Sequence, residues 1–312
     1  MRPYLSVVIP VYNEEKNVRI LFNKITSVLK PMGRPYEIIF VDDGSTDNTF
    51  RELDSIIDSH LRIIKMRKNF GQTAALDAGF KHSRGEIIIT MDGDLQNDPA
   101  DIPLLIKKIN EGYDVVSGWR WKRKDPFSKK LLSKIANSMR IMLTKQVIHD
   151  SGCSLKAYKA EAIKDLDIFG EMHRYIPALL AWQGFRVGEV KVRHFYRKHG
   201  KSKYGMLRVF KGFLDLLVVV FWQKYSARPI HIFGGFGLLM IVAGGLVSVY
   251  MIIRRIIGNY SLSNRPLFLL AILTVILGFQ FFMSGILADI AIKNYYKQNK
   301  KKNYSIERII EK

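Results

Sequence analysis

The chain has 312 residues and a formal net charge of +21, with 49 Lys and Arg against 28 Asp and Glu. Its one cysteine, Cys153, excludes an internal disulfide and fits a reducing compartment. The sequence contains no zinc-ligand spacing and no RNP-like aromatic pattern, so we predict no nucleic-acid partner. The basic residues cluster beside apolar segments, which favours anionic lipid head groups and a lipid phosphate.

Strands and helices alternate along the first 120 residues. Apolar and β-branched runs predict five strands, and apolar residues at helical spacing predict helices between them. The predicted strands cover residues 5–10, 36–41, 62–66, 86–91 and 114–120, and the predicted helices 15–29 and 73–82. This alternation predicts βαβ units and an α/β fold with a mostly parallel sheet.

Polar sequences follow several of these strands. Asn13 and Glu14 follow the first strand, the Asp42–Asp43 pair ends the second, and Asp92-Gly-Asp94 ends the fourth. The carboxyl ends of parallel strands meet at one edge of a sheet, where open α/β sheets bind ligands. Carboxylates there suit a Mg²⁺ ion that also holds phosphates. Taken alone, each motif is also compatible with ordinary turn chemistry.

A dinucleotide-binding domain is the main alternative for this half of the chain. It would require G-x-G-x-x-G after the first strand, and a P-loop would require G-x-x-x-x-G-K-[S/T]. Neither motif occurs. Phosphate groups would therefore be held by a metal ion and by basic side chains.

These motifs resemble the signature of the GT-A glycosyltransferases of family 2, and most closely its polyprenyl-phosphate glycosyltransferases. That group includes dolichol-phosphate mannose synthase, and the resemblance is to its bacterial type with two C-terminal transmembrane helices. The similarity covers roughly residues 5–230. The matching motifs are Pro10-Val-Tyr12-Asn-Glu14, Asp42-Asp43-Gly-Ser, Arg67-Lys-Asn-Phe-Gly71, Asp92-Gly93-Asp94-Leu-Gln96, Gly118-Trp-Arg120, Asp150-Ser-Gly152, His173-Arg174-Tyr175 and Gly200-Lys-Ser-Lys203-Tyr204-Gly205.

The resemblance implies a GT-A (Rossmann-like) domain that transfers a sugar, with inversion, from a UDP- or GDP-hexose to undecaprenyl or dolichyl phosphate. It implies Mg²⁺ or Mn²⁺ as cofactor, with Asp92, Asp94 and Gln96 as metal residues and Asp94 and Gln96 favoured as direct ligands. The implied catalytic residues are Asp150, Asp94 and Arg120, with Asp150 either orienting the acceptor or completing the metal shell. The implied nucleotide-sugar-binding residues are Pro10, Tyr12, Glu14, Val41, Asp43, Asp92, Gly93, Asp94, Gln96, Arg120, Arg197 and Lys203.

Two uncharged apolar segments, 232–253 and 266–288, are each long enough to cross a membrane. Basic residues flank the pair, which predicts that both termini are cytoplasmic and that the protein lies in a prokaryotic inner membrane. Residues 126–145 and 206–222 are amphipathic, and the first of these either lies on the membrane or packs on the soluble domain. The predicted organisation is a catalytic domain (1–204), an interfacial helix (205–229), two transmembrane helices (230–292) and a basic cytoplasmic tail (293–312).

Three other functions are weighed at this point, and one of them, a nucleic-acid-binding membrane protein, would require binding that weakens steeply with salt. A processive polysaccharide synthase would carry Q-x-x-R-W, whereas the nearest sequence, beginning at Gln183 and ending at Val187, lacks the Trp. An inactive nucleotide-sugar binder would not need Asp92, Asp94, Gln96 and Asp150. The expected partners are the nucleotide-sugar, polyprenyl phosphate and membrane lipids, and the sequence leaves homo-oligomerisation open.

Overall fold

The computed structural model describes residues 2–121, 148–168, 170–196, 230–258, 266–297 and 306–311. Within them the chain forms an α/β unit and a separate unit that contains two long apolar helices. The predicted amphipathic segments 126–145 and 206–222, and the residues Arg197 and Lys203, lie outside the described residues.

The α/β unit is built on one sheet with the strand order β7-β5-β6-β4-β1-β2-β3-β8. Among the described strands, six run in one direction, and β6 and β8 are antiparallel to their neighbours. The strands are β1 Leu5–Val11, β2 Tyr36–Asp42, β3 Leu61–Met66, β4 Ile87–Thr90, β5 Val115–Arg120, β6 Lys156–Lys159, β7 Val187–Val192 and β8 Ile306–Glu311. The predicted mostly parallel α/β class is confirmed, and the five predicted strands correspond to β1–β5.

Helices cover both faces of this sheet, which explains why the central strands are continuous apolar runs. The helices are α1 Val18–Leu29, α2 Thr49–Asp54, α3 Gln72–His82, α4 Ile102–Asn110, α5 Ala160–Ile163, α6 Ile176–Trp182, α7 Ile230–Gly258 and α8 Pro266–Lys297. The apolar stripes of α1 and α4 pack in one core cluster. Helices α3 and α6 contribute to a second cluster on the other side. The two predicted helices of the first 120 residues correspond to α1 and α3.

The C-terminal end differs from the predicted basic tail. Helix α8 continues to Lys297, and Ile306–Glu311 forms β8, which pairs antiparallel with β3. The side chains of Ile306 and Ile310 pack against the core clusters. The tail was predicted from the basic residues of 293–312, and that count says nothing about the strand-forming sequence Ile-Glu-Arg-Ile-Ile-Glu at 306–311.

Carboxylates of β8 pair with basic residues of the sheet. Glu311 lies 3.2 Å from Arg62 and 2.6 Å from Arg84, and Glu307 lies 3.0 Å from Lys65. The Arg62 side chain is largely buried and also binds Glu37 at 2.8 Å. Because β8 covers the edge of β3, it protects main-chain groups that would otherwise be open to pairing with another chain.

We expect a chain that ends at residue 305 to unfold at a clearly lower temperature and to aggregate more readily than the full chain. The reason is the exposed edge of β3 and the lost packing of two isoleucines. The matched control keeps the strand and replaces Glu307 and Glu311 with Gln. It should change the free energy of unfolding by less than about 1 kcal/mol, because both glutamates are exposed and the buried Arg62 keeps its ion pair with Glu37. Thermal unfolding in detergent measures both, and equal unfolding temperatures for the truncated and full chains would contradict the assignment.

The two long helices have the length and composition of membrane spans. Spans of mean hydropathy 2.4 and 2.3 cover Ile230–Gly258 and Pro266–Ala291, and they contain the predicted segments 232–253 and 266–288. The helices pack on each other through small residues. A Cβ atom added to Gly237 would lie 2.5 Å from the carbonyl oxygen of Gly278. Glycine at such positions allows two backbones to approach closely within a membrane.

Candidate nucleotide-sugar site

The loops after β1 and β2 are bound to each other at the carboxyl edge of the sheet. The main-chain N–H of Asn13 donates to the Ser45 hydroxyl at 3.0 Å, and the Asn13 side-chain oxygen accepts from the Thr46 N–H at 2.8 Å. The Glu14 N–H donates to the Thr49 hydroxyl at 2.8 Å. Asn13 has a φ of 56°, a left-handed conformation that asparagine tolerates better than most residues. The two polar sequences predicted to meet at one edge therefore do so.

Asp43 holds the loop after β3 against the end of β2. Its two carboxylate oxygens accept the main-chain N–H groups of Phe70, at 2.7 Å, and Gly71, at 2.9 Å. Asp42 is also buried, and its side chain accepts from the Ser45 N–H at 3.0 Å. Burial raises the pKa of Asp42. Sequence reasoning assigned Asp43 to the nucleoside and missed its contact with the Arg67–Gly71 motif.

Asp92 and Asp94 follow β4 at the centre of this edge. The Asp92 carboxylate accepts from the Gln72 side-chain amide at 2.7 Å, and the buried Asp94 accepts from the Gln96 N–H at 3.1 Å. Burial, and then the charge of Asp94, raises the pKa of Asp92, while Ser154, Lys156 and Arg120 oppose that rise. A divalent cation suits this pair because it would compensate the charges of two neighbouring carboxylates, of which Asp94 is buried and Asp92 is half-buried. Gly93 packs against β1, since a Cβ atom there would lie 2.7 Å from a Val11 methyl carbon.

Gln96 joins this loop to the segment that follows β7. Its side-chain nitrogen donates to the Phe195 carbonyl at 3.3 Å, and the Phe195 N–H donates to the Gln96 carbonyl at 2.9 Å. An isolated bridge between Asn97 and His194 continues the pairing. With its nitrogen used in this way, Gln96 has its side-chain oxygen as the atom that could act as a metal ligand.

Arg120 and Asp150 form a bidentate pair at the end of β5. The guanidinium Nε and Nη2 atoms donate to the two Asp150 oxygens at 2.6 Å and 2.8 Å, and the Arg120 N–H adds a contact at 3.3 Å. Burial disfavours the charged guanidinium, but Asp150 outweighs that cost, and the pKa of Arg120 is raised. Because the charge of Arg120 also opposes the rise in the pKa of Asp92, the predicted donor and catalytic residues interact electrostatically.

Two charged residues that no sequence motif marks lie beside this pair. Glu189 on β7 accepts from the His149 N–H at 2.8 Å and from the Asp150 N–H at 3.4 Å. Lys156 on β6 is buried, and burial lowers its pKa to about 8 against the opposing effects of Cys153, Asp150 and Asp92. Glu189 is 39 residues from Asp150 in the chain. In the sequence, Glu189 and Lys156 each appear as a charged residue within a strand-like run. Such residues are common at exposed strand positions, so the pattern does not indicate a functional site.

The remaining predicted residues fall in different environments. Pro10 lines a small cavity with Asp92, Lys156 and His173. Tyr12 and Glu14 are half-buried at the same edge, whereas the Val41 side chain is fully buried in the core. Among the described residues, no group of three or more His, Cys, Asp or Glu side chains forms a self-contained metal site. A cation there would need further oxygen ligands from its substrate.

We expect Cys153 to be inert toward thiol reagents in the folded protein. It is fully buried, and burial raises its pKa to about 11, so about one thiol in a thousand is a thiolate at pH 8. Labelling with a maleimide at pH 8 should be slow in the native state and fast after denaturation. Mass spectrometry measures the labelled fraction over time. A Cys153→Ser variant provides the blank, and rapid labelling of the native chain would contradict the buried position.

The Glycosyl transferase family 2 model matches residues 6–167, which is half of the chain. The chain belongs to glycosyltransferase family 2. It is 40% identical over 314 residues to the dodecaprenyl-phosphate galacturonate synthase of Rhizobium johnstonii, covering 98% of this chain and 93% of that protein. It is 35% identical over 310 residues to the undecaprenyl-phosphate 4-deoxy-4-formamido-L-arabinose transferase of Proteus mirabilis, covering 98% and 94%. The predicted family is confirmed.

Solved structures of the same fold include glucosyl-3-phosphoglycerate synthase from Mycobacterium tuberculosis. Its complex with Mn²⁺, UDP and glucosyl-3-phosphoglycerate matches with a TM-score of 0.53 at 17% identity, covering 71% of this chain and 80% of that chain. A complex of the same protein with Mg²⁺ and UDP matches with a TM-score of 0.53 at 20% identity, covering 69% and 79%. At such low identity these similarities establish the fold.

Proposed function

We propose that this family 2 glycosyltransferase moves a sugar, with inversion, from a nucleotide-sugar to a polyprenyl phosphate. The observation that carries the proposal is the nearly full-length similarity to two enzymes whose names specify dodecaprenyl and undecaprenyl phosphate. That similarity extends through the two long apolar helices, so it includes the membrane part of the chain. A lipid-linked acceptor explains why one protein contains both a catalytic α/β unit and two apolar helices, because the acceptor is found in the membrane.

The donor would bind at the carboxyl edge formed by β1, β2 and β4. Pro10, Tyr12, Glu14 and Asp43 are the proposed nucleoside residues of this edge, with any Val41 contact made by its main chain. Asp92, Asp94 and Gln96 would hold Mg²⁺ or Mn²⁺. Such a cation supplies positive charge to the diphosphate leaving group, which is the difficult part of this reaction. Arg197 and Lys203 stay in the proposal as phosphate-neutralising residues on the family resemblance alone.

The acceptor would bind near Asp150 and Arg120. A polyprenyl phosphate is already an anion at neutral pH, so its oxygen needs no strong general base to attack the sugar. Asp150 is bound through both oxygens to Arg120, which favours an orienting and electrostatic role over proton transfer. Glu189 and the Arg120 main chain hold Asp150 from two further directions. Preorganised groups of this kind stabilise charge without a cost of rearrangement during the reaction.

The catalytic unit would lie on the cytoplasmic face of a prokaryotic cell membrane. Basic residues flank the two apolar helices, as the positive-inside rule requires of cytoplasmic segments. Strand β8 follows the second helix and pairs with β3, so the chain must return to the side from which it left. Two crossings satisfy that requirement.

The proposal is tested by glycolipid formation. Purified full-length protein is incubated with Mg²⁺ or Mn²⁺, undecaprenyl phosphate and a panel of UDP- and GDP-sugars, and the lipid products are separated by mass. We expect one donor to give a lipid carrying a single sugar on its phosphate. Polymer formation would favour a processive synthase, and donor binding without product from any sugar would favour an inactive binder.

A further inference from the structure

The ends of β5 and β7 carry an exposed aromatic and basic surface beside the Arg120–Asp150 pair. We define this surface, the aromatic rim, as Trp119, Trp121, Lys191, Phe195 and Tyr196. Trp121 is 54% exposed, and Phe195 and Tyr196 are 47% and 65% exposed. Trp121 packs with Trp119 and Lys191, while Phe195 and Tyr196 lie three and four residues beyond the end of β7. Exposed large aromatic side chains at one edge of a sheet indicate a site of interaction.

The rim is an ordered structure. The Lys191 ammonium lies 3.7 Å from the centre of the Trp121 ring and 5.5 Å from that of Trp119. The two indole rings meet edge to face at 4.7 Å, and Trp119 stacks on His149 at 4.1 Å. Main-chain pairing of Phe195 with Gln96 holds the other side of the rim at the same edge of the sheet.

We infer that the aromatic rim is a docking surface for the head-group region of an anionic phospholipid bilayer. Trp and Tyr are amphipathic and concentrate at the boundary between water and lipid. A lysine beside them complements anionic head groups.

The position of the rim gives the inference a functional consequence. Trp121 directly follows Arg120, and Phe195 is paired with Gln96, a proposed metal ligand. Docking of the rim would place the opening of the candidate site at the depth of lipid phosphate groups. The docking itself is independent of the proposed sugar transfer, because it needs neither donor nor acceptor.

Nitroxide quenching of tryptophan fluorescence tests the inference in the full-length protein. The protein is placed in nanodiscs that contain phosphatidylglycerol and a lipid with a nitroxide on its head group. One variant keeps Trp121 alone, with Trp119, Trp182 and Trp222 replaced by Phe. The matched control keeps Trp182 alone. Trp182 is 38% exposed. It ends α6 shortly before β7 begins, so it lies toward the amino end of β7, whereas the rim lies at the carboxyl ends of the strands.

We expect the nitroxide lipid to quench Trp121 several-fold more strongly than Trp182. Lys191→Glu, or replacement of phosphatidylglycerol by phosphatidylcholine, should reduce the quenching of Trp121. Equal quenching of the two residues would overturn the inference. It would also be overturned if the nitroxide lipid did not quench Trp121 and its fluorescence changed only with added UDP, which would indicate stacking on the base. A change only with protein concentration would indicate contact with a second copy of the chain and would overturn it as well. Should the triple substitution disturb folding, the difference in quenching between wild type and Trp121→Phe gives the same information.

Discussion

Replacement of Asp94 with Asn is expected to lower the rate of glycolipid formation by at least ~100-fold, the usual cost of removing a key electrostatic contact. Asp94 is buried beside Asp92, and its side chain accepts the Gln96 N–H. An asparagine can keep that hydrogen bond but loses the charge that a cation needs. The expected loss is therefore in turnover, with little change in the fold of the loop.

Asp98→Asn provides the matched control for this variant. Asp98 lies on the same loop and caps the turn Pro99–Asp101 by accepting the Ala100 N–H at 3.1 Å. Asparagine is an equally good N-cap, so activity should stay close to wild type. The wild-type rate should also fall when EDTA is added and return with excess Mg²⁺ or Mn²⁺. Full activity in EDTA would exclude the proposed cation site.

Asp150→Asn and Asp43→Ala are expected to separate turnover from donor binding. Asp150→Asn removes the negative charge that balances the half-buried Arg120 guanidinium, which lies 2.6 Å away. It should lower kcat by about 100-fold and leave the Kd for the nucleotide-sugar within a few-fold, as for an interaction made mainly in the transition state. Asp43→Ala removes the acceptor for the Phe70 and Gly71 N–H groups, so it should weaken donor binding through the loop after β3.

Donor titration by calorimetry and single-turnover glycolipid formation measure the two quantities separately. Asp43→Asn is the matched control for Asp43→Ala, because it retains one oxygen acceptor and should recover part of the lost affinity. The assignment fails if Asp150→Asn abolishes donor binding or leaves turnover unchanged. It fails for Asp43 if Asp43→Ala binds the donor as tightly as the wild type does.

Some of these residues could be located from the sequence because their signals are local. Apolar runs followed by Asp42–Asp43 and by Asp92-Gly93-Asp94 predict strand ends, and parallel pairing of β1, β2 and β4 brings such ends to one edge. The Asp98 side chain caps the turn Pro99–Asp101, and an Asp-Pro pair is a local start signal for such a turn. Two long uncharged segments predict spans by length alone.

Other features depend on contacts between distant parts of the chain. Glu189 holds the main chain of Asp150 across 39 residues, and Glu311 binds Arg84 across 227. No local pattern marks either glutamate, because a charged residue in a strand usually faces solvent. Asp43 is a similar case, since its hydrogen bonds to Phe70 and Gly71 depend on the close approach of two separate loops.

The sequence by itself determined the α/β class, the carboxylate-rich edge and the apolar spans, because periodicity and strand-end chemistry are properties of neighbouring residues. The tertiary structure decided that Arg120 and Asp150 form one bidentate pair, that Lys156 is buried beside them and that residues 306–311 close the edge of the sheet. These outcomes arise from burial and from pairing across the sheet. Both depend on which strands become neighbours, and strand pairing involves residues that are distant in the sequence.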